Sequence, residues 1–340
     1  MEIQSPMFIA EISANHLGSF KRAKKLVKAA IDAGATAVKF QTYTASTMTI
    51  DIDSPEFRIS DDHKLWGGRN LFDLYDEAHT PWEWHKELFD MCLDEQVIPF
   101  STPFDLSAVD FLETLQVPMY KIASMESSDL PLIQRVAETG KPLIVSTGVT
   151  TWQEIEELVD IVDLSGNKNL TLLVCTSSYP ANPIDSHLNR IKTLKKHFQV
   201  NVGLSDHTLG IGVSLAAIGL GATIIEKHFT LRRSDGGPDG AFSLEPNEFK
   251  NLVIEGSNAF KALGNSEWSI QVSENESRRL RRSLYIVEDV KIGDVISGEN
   301  LRAIRPNGGC PPKFLPSLLG KKFRSDYSRG TPMDINFAIE

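Results

Sequence analysis

The chain has 340 residues, of which 41% are hydrophobic and 24% charged, and its formal net charge is −10 at pH 7. That length can bury a large core and holds one big domain plus a small one. The negative charge argues against nucleic acid as a partner, because phosphate backbones are bound by positive surfaces, yet it leaves room for a small anion in a local basic pocket.

Three scattered cysteines, Cys92, Cys175 and Cys310, form neither a CxxC metal site nor a disulfide framework. The longest apolar stretch, Ile211 to Ile225, is broken by Ser214, Gly219 and Gly221 and reads as a buried helix running into a strand, not a membrane span. The start Met1-Glu2-Ile3-Gln4 lacks the basic segment and cleavage site of an export signal. The expectation is a cytoplasmic enzyme with no membrane partner.

Taken in order, apolar β-branched runs predict strands at Met7 to Ile12, Ala37 to Gln41, Val97 to Ser101, Met119 to Ala123, Leu143 to Ser146, Leu170 to Thr176, Val200 to Ser205 and Thr223 to His228. Amphipathic helical patterns lie between them, at Lys21 to Asp32, Pro81 to Asp94, Ser107 to Leu115, Leu130 to Thr139 and Trp152 to Val162. Eight such repeats in series imply an α/β fold, a (β/α)8 TIM barrel. The alternative, a doubly wound sheet, lacks its Gly-rich dinucleotide turn. The connection from Thr42 to His79 is long enough to be a functional loop or lid. It ends at Thr80-Pro81-Trp82-Glu83, which reads as an N-cap, a first-turn proline and a capping-box glutamate. After a helix at Pro246 to Leu263 the composition changes. The reading is a barrel over 1–265, a linker over 266–281 and a small β-rich domain over 282–340, with strand pieces at Leu284 to Val287 and Leu301 to Ile304 and the Met333 to Ile339 run closing it.

In a TIM barrel the lumen-facing side chains near the C-terminal strand ends build the active site. Alternation points Glu11, Lys39, Gln41, Thr102, Lys121, Ser146, Ser177, Ser205, His207, Glu226 and His228 to that mouth. Two inward lysines need anions, because burying an unpaired ammonium costs several kcal/mol. With the hydroxyls of Thr102, Ser124, Ser146 and Ser205 around them, they suit a phosphate or carboxylate. The plainer alternative pairs Lys39 and Lys121 with Glu11 and Glu126. His207 and His228 end neighbouring strands and either cap local turns or share a catalytic divalent ion such as Mn2+, with open positions for water and substrate oxygen. Asp206 and Asp239 are candidate outer partners, and His16 is a weaker ligand. His63, His79, His85, His187 and His197 read as surface residues.

Seven ordered motifs then carry a resemblance: Ala10-Glu11-Ile12-Ser13-Ala14-Asn15-His16-Leu17-Gly18, Val38-Lys39-Phe40-Gln41-Thr42, Ser101-Thr102-Pro103-Phe104, Tyr120-Lys121-Ile122-Ala123-Ser124, Ser146-Thr147-Gly148, Leu204-Ser205-Asp206-His207-Thr208 and Glu226-Lys227-His228-Phe229-Thr230. Together they resemble the sialic acid synthase family over nearly the whole chain, with 282–340 similar to its antifreeze-like (SAF) domain. The segments around Leu65-Trp66-Gly67-Gly68-Arg69 and Leu74 to His85 resemble the family's pseudaminic acid branch. At the strand-six tip, where the sialic acid branch is expected to carry asparagine, this chain has Cys175-Thr176-Ser177-Ser178-Tyr179-Pro180.

The resemblance implies condensation of phosphoenolpyruvate with 2,4-diacetamido-2,4,6-trideoxy-altrose. Alternatives are legionaminic or N-acetylneuraminic acid synthesis, a metal-dependent aldolase or lyase on the same barrel, and a non-catalytic sugar-binding homologue. It assigns Lys39, Thr102, Lys121, Ser124, Ser146 and Ser205 to phosphoenolpyruvate, and Gln41, Ser177, Tyr179, Asp239 and Arg305 to the N-acetylated sugar. Glu11, Glu126 and Lys121 become the catalytic groups, and His207 and His228 the ligands of Mn2+, with Mg2+ or Co2+ as other ions. Arg305, in Ile304-Arg305-Pro306, would reach the sugar from the partner subunit of a domain-swapped homodimer.

Overall fold

The structure is a computed structural model that describes residues 5–62 and 65–340, so His63 lies outside the described residues. It divides into two compact units, Met1–Gly264 and Asn265–Glu340. In the first, eight parallel strands close into a barrel in sequence order. They are β1 (Met7–Glu11), β2 (Ala37–Thr42), β3 (Ile98–Pro103), β4 (Tyr120–Ile122), β5 (Leu143–Ser146), β6 (Leu170–Cys175), β7 (Asn201–Ser205) and β8 (Ile224–His228), each within two residues of its expected bounds. The outward residues of these strands, Phe8, Ala10, Val38, Tyr120, Ile122, Leu172, Val174, Val202, Leu204 and Ile225, are buried under the helices. Each large aliphatic so covered contributes about 1.5–3 kcal/mol.

Helices α1 (Phe20–Asp32), α2 (Ala45–Met48), α3 (Leu71–Ala78), α4 (His85–Asp94), α5 (Leu106–Thr114), α6 (Leu130–Ala137), α7 (Trp152–Leu164), α8 (Arg190–Phe198), α9 (Gly212–Gly219) and α10 (Pro246–Ala262) complete the first unit. Their starts are chemically marked. Ser19 accepts from Arg22 N, Asp105 from Ser107 N and Ala108 N, and Thr151 forms a reciprocal capping box with Glu154.

The long connection carries α2 and α3 within it. One expectation about its end needs correction, since α4 does not begin at a Thr80 cap. Pro81 is itself the extended cap residue of a short 3-10 turn, Trp82–Trp84, and the Thr80 hydroxyl is spent on His16 Nε2 at 3.2 Å. His85 is also not a surface residue. It is fully buried, pairs with Thr42 Oγ1 at 2.8 Å and packs on Phe40, Phe89 and Phe111.

The lumen changes character along its axis. Ile9, Ala37, Phe100, Met119, Ile144, Leu173 and Ile224 form an apolar floor. Two residues further along the strands come Glu11, Lys39, Lys121, Ser146, Ser205 and Glu226. On β7 only glycine fits at floor level, because a Cβ on Gly203 would lie 2.4 Å from the Ile224 carbonyl oxygen.

In the second unit, 265–282 is exposed and carries α11 (Asn275–Arg279). Two short antiparallel pairs follow, β9 (Ser283–Ile286) with β10 (Leu301–Ile304), and β11 (Lys322–Phe323) with β12 (Ala338–Ile339). Between them lies α12 (Leu315–Leu318). Leu284, Ile286, Val290, Ile296, Leu301, Leu318, Phe323 and Met333 make its core.

Candidate active site

A cavity of about 440 Å³ opens at the C-terminal end of the barrel. Glu11, Lys39, Gln41, Lys121, Ser124, Glu126, Ser146, Tyr179, Ser205, His207, His228 and Asp239 all line it. Thr102 and Ser177 are not among the lining residues. Thr102 accepts from Lys39 Nζ at 3.2 Å, and Ser177 lies 3.8 Å from Cys175 Sγ. Arg305 is exposed in the second unit.

The charges at the mouth are paired in a particular way. Lys39 Nζ is 2.8 Å from Glu11 Oε2 and 3.7 Å from Glu226 Oε1. Lys121 Nζ donates to Ser146 Oγ at 2.6 Å and to the Ile122 carbonyl at 3.0 Å, and lies 4.0 Å from Glu226 Oε1. Of the plainer alternative, the Lys39–Glu11 pair forms, whereas Lys121 meets Glu226, not Glu126, and Glu226 also accepts from Ser205 Oγ at 3.0 Å. Glu226 had been placed at the mouth by alternation but given no role. Its position two residues before His228 was the signal that it belongs to the ionic network.

Burial disfavours charge on every one of these groups, and the neighbours decide the outcome. Burial pushes the Lys121 ammonium below its ordinary value. Burial also opposes charge on Lys39, but Glu11 and Glu226 outweigh it and hold the ammonium protonated. For Glu226, burial is likewise overcome by Lys121 and Lys39, which keep it ionised. At Glu126 burial outweighs the pull of Lys121 and Lys39. Burial pushes its carboxyl up to about 7, and its Oε2 has no hydrogen-bond partner.

The opposite side of the cavity carries a second network. Gln41 Nε2 donates to Glu11 Oε1 at 2.9 Å and to Ser13 Oγ at 3.0 Å, and Ser13 donates to Asp239 Oδ2. Ser13 holds a φ of +46°, in the left-handed region, which costs of order 1–3 kcal/mol for such a residue. Sequence reasoning passed over Ser13, as it passed over Tyr43, Trp66 and Cys175, which also line the cavity. Trp66 donates its indole N–H to the Pro238 carbonyl at 3.0 Å, tying the long connection to the loop after β8. With Met48, Ile59, Leu71 and Leu74 it forms an apolar wall of the cavity.

His207 and His228 face each other with ring centroids 5.4 Å apart, flanked by Tyr179 and Phe242. His207 Nδ1 pairs with the Thr176 carbonyl at 3.0 Å, an outer hydrogen bond that assigns its proton and leaves Nε2 for a ligand. His228 Nδ1 is buried without a hydrogen bond, 4.0 Å from Asp239 Oδ2, and burial holds the ring neutral. Among the described residues no three His, Cys, Asp or Glu side chains converge as a ready metal cage. Two imidazoles beside a carboxylate therefore fit a divalent cation whose other positions go to water and substrate. His16 takes no part. It is buried, with Nε2 on Thr80 and Nδ1 accepting from Gly18 N.

Such a barrel, with buried lysines and hydroxyls at its mouth beside two neighbouring histidines, belongs to the class of (β/α)8 enzymes that build their active site at the C-terminal face. The NeuB family model matches residues 26–268, and a SAF domain model matches 281–334. The chain belongs to the NeuB family. It is 42% identical over 322 residues to a pseudaminic acid synthase of Campylobacter jejuni, covering 95% of this chain and 93% of the relative. An N,N'-diacetyllegionaminic acid synthase of the same organism is more distant, 36% identical over 96% of this chain and 98% of its own length. Among solved structures, the N-acetylneuraminic acid synthetase of Leptospira borgpetersenii in complex with citrate is 33% identical and superposes with a TM-score of 0.72, covering 80% of this chain and 90% of that one. No helix among the described residues is long and apolar enough to cross a membrane.

Proposed function

We propose that this chain is a pseudaminic acid synthase, a transferase that condenses phosphoenolpyruvate with 2,4-diacetamido-2,4,6-trideoxy-altrose to give the nonulosonate and phosphate. The observation that carries the reading is the 42% identity to a pseudaminic acid synthase over 95% of the chain, and the chemistry of the mouth supports it. Lys39 and Lys121, with Ser124, Ser146 and Ser205, hold the phosphate and carboxylate of phosphoenolpyruvate, and Thr102, outside the cavity lining, acts through its hydrogen bond to Lys39. Gln41, Tyr179 and Asp239 hold the sugar, and the wall of Met48, Ile59, Trp66 and Leu71 meets its deoxy methyl and acetyl methyl groups.

The methylene carbon of phosphoenolpyruvate attacks the open-chain aldehyde carbon, forming the C–C bond. A divalent cation on His207 and His228, Mn2+ with Mg2+ or Co2+ as alternatives, supplies electrophilic polarisation of that aldehyde when bound. Glu126, whose carboxyl is pushed up to about 7, gives its proton to the aldehyde oxygen, and the developing positive charge at C2 is taken up by water. Glu11 orients that water through its network with Gln41 and Ser13. The C2–O bond to phosphate then breaks, phosphate leaves with the electron pair, and the water oxygen remains as the C2 carbonyl. One of the two water protons restores the Glu126 carboxyl and the other ends on phosphate.

The working unit in this proposal is a domain-swapped homodimer in which Arg305 of a second copy reaches an N-acetyl group. Three free cysteines support a reducing, cytoplasmic setting. The test is phosphate release from phosphoenolpyruvate with Mn2+ and a panel of acceptors. Turnover is expected with the altro-configured diacetamido sugar. Release only with the legionaminic precursor, or only with N-acetylmannosamine, overturns the assignment of the acceptor.

A further inference from the structure

On the outer face of β7 and β8 lies a second buried ion pair that the reaction does not touch. Lys227 Nζ is 3.1 Å from Asp206 Oδ2, and both side chains are 1% exposed. Asp206 is fully satisfied. Its Oδ1 accepts from Thr208 N at 2.9 Å and Thr208 Oγ1 at 2.7 Å, and its Oδ2 accepts from Ser214 Oγ at 2.6 Å. The same ammonium donates to the Thr208 carbonyl at 2.5 Å.

The covalent neighbours of this cluster make it informative. Lys227 grips residues 206 and 208, the two that flank His207, and is itself bonded to His228. One buried ammonium thereby fixes both ends of the peptide segment that carries one imidazole and the backbone that carries the other. The backbone adds a further tie where Asp206 N donates to the Glu226 carbonyl at 2.9 Å. Ser214 on α9 anchors the cluster to the helix layer. A buried ion pair alone is weak evidence of stabilisation, because desolvation offsets its attraction. A pair that sets the separation of two ligands has a different use, since their affinity for a cation depends on where both nitrogens point.

We propose that Lys227 and Asp206 are positioning residues that set the spacing and orientation of His207 and His228 for the divalent cation, an inference that rests on the two-histidine reading of the site. The test is Mn2+ binding to the full chain without substrates, followed by the electron paramagnetic resonance signal of free Mn2+, in wild type and in Asp206→Asn/Lys227→Met. The double variant removes both charges together, so no lone buried charge is left.

The dissociation constant should rise about 10- to 100-fold while the melting temperature of the metal-free protein stays within a few degrees of wild type. Saturating Mn2+ should restore kcat, and the unchanged melting temperature of the metal-free protein separates this from a general loss of stability. A folded double variant that binds Mn2+ within about twofold of wild type overturns the proposal. If the double variant does not fold, Ser214→Ala decides, since it removes one remote hydrogen bond to Asp206. About threefold weaker Mn2+ binding supports the clamp, and unchanged binding overturns it. A wild-type protein that binds no Mn2+ defeats the two-histidine reading and the clamp together, whereas wild-type binding with unaltered variants defeats the clamp alone.

Discussion

Ile9, Ala37, Ile144 and Ile224 fill the lumen two residues before Glu11, Lys39, Ser146 and Glu226 on the same strands, and Met119 stands two before Lys121, all in one closed barrel. The floor is apolar and closely packed. The mouth holds buried charges, and Glu126 Oε2, Glu226 Oε2 and His228 Nδ1 have no hydrogen-bond partner there. Floors of this kind lower the free energy of the fold, whereas a mouth with unsatisfied polar atoms raises it, and such atoms are retained where a ligand completes them. The difference teaches that stability and chemistry are separated along the barrel by a single step of strand alternation.

Substitutions in the two layers can break that separation. The largest expected effect is at the mouth, where His207→Ala, or removal of metal by a chelator, should lower phosphate release by about 10³-fold or more while the urea midpoint barely moves. Full activity in metal-free buffer would defeat the cation's role. On the floor, Phe100→Ala should destabilise the barrel by about 3–5 kcal/mol, read from denaturant unfolding, and the surviving folded enzyme should keep its KM for phosphoenolpyruvate. A selective rise in that KM would show that the layers are not separate.

A smaller effect is expected from Arg305→Ala. KM for the sugar should rise about tenfold with KM for phosphoenolpyruvate unchanged, and an unaltered sugar KM would remove Arg305 from the site.

The smallest effect concerns pH. Glu126 is raised from 4.5 to about 7, so the folded protein keeps a proton that the unfolded chain has lost across that window. Its contribution to stability is present below 4.5 and is lost as pH climbs through about 7. As a proton donor it should give kcat a limb that falls through the same upper value, and Glu126→Gln should flatten that limb and the stability slope together. A limb that persists in the variant belongs to another group.

Most of the barrel was legible because its strands alternate strictly between an apolar outer face and a lumen face, and that pattern needs no knowledge of neighbours. Lys39 with Glu11, and His207 with His228, were legible for the same reason, since paired strands place matching ends together. The partner of Lys121 was not, because Glu126 and Glu226 are both candidates until the closed barrel brings β8 beside the lysine. Thr80 and Pro81 misled for a related reason. The local capping pattern is sound, but the hydroxyl is captured by His16, 64 residues away in sequence. His85 reads as polar and therefore exposed, yet Thr42 satisfies it within an aromatic cluster. The acceptor wall was the least legible, because Met48, Ile59, Trp66 and Leu71 come from a stretch with little periodicity.

The indole of Trp66 on the Pro238 carbonyl bears on how acceptor preference can be inherited. The wall and the turn after the last strand are stitched into one unit although 172 residues separate them in sequence. A graft that carries only the long connection into a relative would arrive without its anchor. On the proposed role of this wall, exchanging sugar preference between members of the family requires both segments to be transferred as one cassette.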